Sequence, residues 1–124
     1  MRIRIRWAGH ALEGALDDTP TAQKLLEALP CSSTANTWGE EVYFEVPVAA
    51  ELEAAPKCVV APGTICFWVQ GSSVALPYGP TPVSEGKECR LVTAVNVLGR
   101  LDGDARLLAS VRPGDPIIVE RADA

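Results

Sequence analysis

The chain has 124 residues, 48% hydrophobic and 22% charged, which is one domain's worth of ordinary globular protein with a single core, read here as spanning residues 1–124. A formal net charge of −5 argues against a nucleic-acid surface, which needs a basic patch with interleaved aromatics. No apolar run approaches the roughly 18 residues of a membrane span, and MRIRIRWAGH lacks the continuous apolar stretch of a signal peptide, so the expectation is a cytoplasmic protein without nucleic-acid or membrane partners.

Ten glycines and ten prolines punctuate short apolar runs, a pattern of many short strands rather than long helices. RIRIRW alternates strictly, with Ile3, Ile5 and Trp7 on a buried face and Arg2, Arg4 and Arg6 on a solvated one. Gly9-His10 reads as a turn and Ala11 to Leu16 as the returning strand. In DDTPTAQKLLEALP, Thr19 can cap a helix, Pro20 suits its first turn and Gln23 can reach back. Ala22, Leu25, Leu26 and Leu29 form its apolar stripe, and Pro30 ends it. This helix is expected to plug or cover an open sheet.

Short strands follow at residues 31–37 and 42–46, then a polar, alanine-rich connection over 49–57, then strands at 64–69 and 73–76. Leu91 to Leu101 is the longest strand and apolar on both faces, which makes it central. One short helix fits within 102–111, where Leu107, Leu108 and Val111 share a face, and residues 117–121 close the sheet. The Pro-Gly pairs of VAPGTI (60–65) and VRPGDPI (111–117) suit type II turns. Short strands in this number, with one or two helices, point to a mainly β protein built as a barrel.

No G-x-S-x-G elbow, phosphate-cradling G-x-x-x-x-G-K, H-E-x-x-H or dinucleotide fingerprint occurs, so no catalytic residue and no cofactor are assigned. Cys31, Cys58, Cys66 and Cys89 include no C-x-x-C pair, and His10 is the only imidazole. Free, largely buried thiols are expected rather than a metal site. His10, near a hairpin tip, reads as a surface residue.

The unusual run is NTWGEEVYFEV, residues 36–46. If residues 40–46 are extended, Glu40 falls in line with Val42, Phe44 and Val46 on the apolar face, while Glu41 joins Tyr43 and Glu45 on the polar face. Opposite faces make the two carboxylates poor partners for a shared proton, and Glu41 and Glu45 are expected to answer the arginine stripe across the sheet. Glu40, ending a core-facing row, must reach solvent at the barrel mouth or find a donor inside. It can cap a turn or fix a ligand. Asn36 and Trp38 precede Gly39, where the backbone is expected to bend, and Trp38 can bury area with its indole N–H at a wet edge. Asn96, inside LVTAVNVLGRL, needs partners for a buried amide, and either pins a loop or strand crossing or orients a ligand. In LPYGPTPVS, Tyr78 and the prolines form a rigid loop that can line an apolar groove with Trp68.

NTWGEEVYF (36–44), YGPTPVS (78–84) and AVNVLGRL (94–101), in this order and spacing, together resemble a largely uncharacterised family of small prokaryotic proteins with a cyclophilin-like fold. The resemblance runs nearly end to end. It implies a closed or nearly closed antiparallel β-barrel with one or two short helices, one of them covering an opening. Conventional cyclophilins are peptidyl-prolyl isomerases that carry an arginine in a Phe-His-Arg segment. Here no Phe-His-Arg occurs, and His10 is followed by Ala11, so that arginine has no counterpart. The expected function is a binding module in which Trp38, Tyr43, Trp68 and Tyr78 line a barrel-edge groove for a peptide segment or small molecule. Glu40 or Asn96 would orient the ligand, with Asn36 on the rim. The alternative is an enzyme, either a divergent prolyl isomerase or a hydrolytic catalyst acting through Glu40. A homo-oligomer is a further expectation, since acidic chains with exposed aromatics often pair with themselves.

Overall fold

Alternation dictates the first hairpin of the computed structural model, which describes residues 1–122. Strand β1 (Arg2–Trp7) turns at Ala8 and Gly9 and returns as β2 (His10–Leu16). Both turn residues have positive φ, 40° and 82°, as the turn that matches strand twist requires. The turn lies one residue earlier than Gly9-His10, because His10 already pairs with Trp7. Ile3, Ile5 and Trp7 are buried. On the other face Arg4 meets Glu13 at 3.0 Å and Glu120 at 3.1 Å, Arg6 meets Glu120 at 2.9 Å, and Arg2 pairs with Asp102. The arginine stripe is thus answered by acids on or beside the neighbouring strands rather than by Glu41 and Glu45. Hydrogen bonds from Arg6 and Arg4 hold the Glu120 carboxyl below its ordinary range.

Helix α1 (Pro20–Ala28) begins at Thr19, whose side chain accepts the Ala22 N–H at 3.2 Å. Gln23 reaches Asp18 Oδ1 at 2.9 Å rather than the cap itself. Ala22, Leu25 and Leu26 enter the core, and Arg121 Nη2 donates to the Leu26 carbonyl at 3.0 Å near the helix end.

The segment expected as one strand over 31–37 is split at Ala35 into β3 (Cys31–Thr34) and β4 (Asn36–Thr37). Next come β5 (Glu41–Glu45), β6 (Lys57–Val60), β7 (Thr64–Trp68), β8 (Ser73–Pro77), β9 (Cys89–Leu101) and β10 (Pro116–Arg121). The main sheet runs β3-β10-β1-β2-β9-β7-β8-β5-β4. Because β3 and β4 are one stretch of chain, the two ends of this order meet at Ala35. The antiparallel sheet is thereby a nearly closed barrel, with Phe44, Phe67, Leu76, Leu98 and Ile117 buried within it. Where β9 meets β2, a Cβ on Gly99 would collide with the Ala15 carbonyl, so only glycine permits this approach. The Pro-Gly turns carry positive φ at Gly63 (87°) and Gly114 (93°).

The expected short helix is a 3-10 helix over Ala105–Ser110. At three residues per turn Leu108 and Val111 align on the core while Leu107 is turned outward. Strand β6 starts where a connection was expected to end, and it pairs with β9 outside the barrel order. Strand β9 therefore has two parts. Its C-terminal part closes the barrel against β7 and β2, and its N-terminal part forms an arm with β6. Leu91 and Val95 of that arm pack onto Cys66 and Ala75, making a second, smaller apolar cluster on the outer face. The four cysteines are free. No helix among the described residues is long and apolar enough to cross a membrane.

Candidate functional site

The site starts at Gly39. With φ of +60° it lets the chain reverse through Gly39 and Glu40, and the Trp38 N–H donates to the Glu41 carbonyl at 3.0 Å. Thr37 pairs with Val42 and Asn36 with Tyr43. Val42 and Phe44 point into the barrel and are fully buried, which turns Glu41 and Tyr43 to the outer face. Tyr43 lies opposite Ala75, which lies opposite Cys66, so these three share that face. Trp68 stands one row away, its ring perpendicular to that of Tyr43 with centroids 6.1 Å apart.

The arm roofs this floor with Leu91, Val92 and Val95, leaving a pocket of about 230 Å³ walled by Trp38, Tyr43 and Trp68. Glu41 lines it and is 7% exposed. Among the described residues two buried side-chain polar atoms have no hydrogen-bond partner, Glu41 Oε1 and Trp68 Nε1, and both residues line this pocket. Burial pushes the Glu41 carboxyl up to about 7. Burial also pushes the Cys66 and Cys89 thiols up, with the nearby Glu41 charge adding to both, so neither is a ready nucleophile. None of the lining residues is basic.

Three of the four aromatics expected to share a groove, Trp38, Tyr43 and Trp68, do come together. They do so on the outer face, under the arm. Tyr78 lies elsewhere, beneath the Arg106 guanidinium at 5.8 Å, and Arg106 in turn reaches Glu40 at 3.4 Å. Glu41, expected as surface charge, is buried, while Glu40 is held by Arg106. Glu40 belongs to the bend and not to the core-facing row, so it is part-exposed and ion-paired. Glu41 is indeed on the face opposite Val42, but that face is covered at this point. Asn36 is exposed on β4. Asn96 points into the barrel, away from the pocket. Its Nδ2 donates to Thr21 Oγ1 at 3.0 Å and to the Glu51 carbonyl at 2.9 Å, while its Oδ1 accepts the Glu53 N–H at 2.8 Å. It pins the 51–53 segment to α1. Sequence reasoning missed Glu41, although β7 and β8 are apolar on both faces, a sign that a second layer covers the outer one.

A family model described as Cyclophilin-like matches residues 1–120, and the chain belongs to the cyclophilin-like family. It is similar to a hypothetical protein from Archaeoglobus fulgidus whose solution structure is known, with 40% identity and a TM-score of 0.84 over 98% of this chain and 95% of that one. No curated protein matches.

Proposed function

We propose that this cyclophilin-like protein is a binding module holding a small, largely apolar ligand in the outer-face pocket, with Glu41 and Trp68 making the polar contacts. The observation that carries this reading is Glu41, 7% exposed against aromatic and aliphatic walls, with its carboxyl Oε1 buried and without a partner among the described residues. A buried ionised carboxylate without a partner is unfavourable by several kcal/mol. Such a group in a concave apolar site is the usual mark of a place where a ligand completes the hydrogen bonding. The pocket of about 230 Å³ holds roughly eight liquid-water volumes. That suits a small molecule or a single side chain of a peptide rather than an extended peptide segment.

Chemical-shift mapping with a fragment panel tests the reading. Hits are expected to shift the side chains of Trp38, Tyr43 and Trp68 and to weaken in Glu41→Gln. Hits that cluster elsewhere on the barrel, or none at these residues, would refute it. The enzymatic alternative draws no support from the surroundings of Glu40, a part-exposed ion pair with Arg106. A protease-coupled assay on a proline peptide is expected to run at background, and a rate lost in Glu40→Gln would favour the enzyme instead.

A further inference from the structure

Resting on the pocket being a ligand site, we propose that its ligand carries an alkylated ammonium cation, held by cation–π contact with Trp38, Tyr43 and Trp68 and by the Glu41 carboxylate. Charge complementarity is the first argument. An ionised carboxylate only accepts hydrogen bonds, so what Glu41 lacks is a positive charge or a donor. No described residue supplies it. The lining has no basic residue, and the arginines around the site are engaged elsewhere, Arg106 with Glu40 at 3.4 Å and Arg90 with Glu88 at 2.6 Å.

The shape of the walls is the second argument. Two indoles and a phenol ring line the pocket, and aromatic rings of this kind attract an organic cation, indole most strongly. The Tyr43 and Trp68 rings stand at 90° to one another, so the aromatic walls lie in different planes, which suits a rounded ammonium group. Ala75, Leu91 and Val95 supply aliphatic surface for the alkyl groups. The unpaired Trp68 indole N–H calls for an acceptor on the same ligand, such as a hydroxyl oxygen a short chain away from the nitrogen.

Choline has both features and is the probe, compared with its neutral isostere in which carbon replaces the quaternary nitrogen. The titratable groups around Glu41 are Tyr43 on its own strand, Cys66 on β7, Cys89 on β9 and the adjacent Glu40. Burial keeps both thiols neutral, so Glu41 supplies the charge within the pocket. Its ionisation near 7 makes choline binding strengthen as pH rises through that point, while binding of the isostere stays flat.

Titrations followed at the Trp68 indole N–H, in the parent protein and in Glu41→Gln, decide the matter. At about pH 8, choline is expected to bind at least roughly tenfold more tightly than the isostere. Glu41→Gln is expected to narrow that gap to what the aromatic walls alone give and to leave the isostere unaffected. An isostere that binds as well as choline overturns the ammonium assignment while leaving the pocket a ligand site. Failure of both probes overturns the assignment too, and if the fragment panel also finds nothing there, the binding reading falls with it.

Discussion

Glu41 sits where its charge is least favoured, and the consequence is measurable in stability. Its carboxyl titrates at about 7 in the folded chain against an ordinary 4.5. Between those values the folded chain keeps a proton that the unfolded chain releases, so stability falls as pH rises. The contribution of neutral Glu41 is complete below 4.5 and is lost as pH rises through about 7, a total on the order of 3 kcal/mol. Urea unfolding of Glu41→Gln is therefore expected to match the parent near pH 4 and to exceed it by about 1–3 kcal/mol near pH 8. Equal midpoints at both pH values would contradict this. Glu40→Gln removes only a part-exposed pair with Arg106 and is expected to leave both the urea midpoint and choline binding unchanged. The faces of residues 41–46 were legible in the sequence, since alternation sends Val42 and Phe44 inward and Glu41 and Tyr43 outward. The burial of Glu41 was not. Its cover comes from Leu91, Val92 and Val95, which reach it only through the pairing of a distant strand.

The elements written in local chemistry were readable and those defined by their partners were not. Helix α1 is marked by Thr19 and Pro20, and the first hairpin by strict alternation. Strand β6, KCVV, carries too short an apolar signal to stand alone and exists as a strand because β9 pairs with it. The split at Ala35 leaves no mark either, because β3 and β4 are both extended and differ only in which strand they join. Asn96 ties such parts together by bonding α1 at Thr21 and the connection at Glu51 and Glu53. Asn96→Ala strips those bonds from buried groups, and a loss of about 2–3 kcal/mol is expected in urea unfolding. Choline binding should be retained, because Asn96 faces the barrel interior. A variant as stable as the parent would show that the amide is dispensable.

At the scale of the molecule the chain is a barrel that also wears a partial second layer, and the candidate site lies between the two. The barrel needs its close approaches. Gly99→Ala sets a methyl group against the Ala15 carbonyl and is expected to lower stability by about 3 kcal/mol or more, read as a drop in thermal midpoint. An unchanged midpoint would mean that β2 and β9 can part without penalty. The outer layer has a different role, since the β6–β9 arm shields a carboxyl oxygen and an indole N–H that no other group among the described residues satisfies. The most direct test of that claim is a nuclear magnetic resonance titration of the Glu41 side-chain carboxyl, with and without choline. A midpoint of about 7 is expected for the free protein, moving down when choline binds. A midpoint at the ordinary 4.5, unmoved by choline, would contradict it.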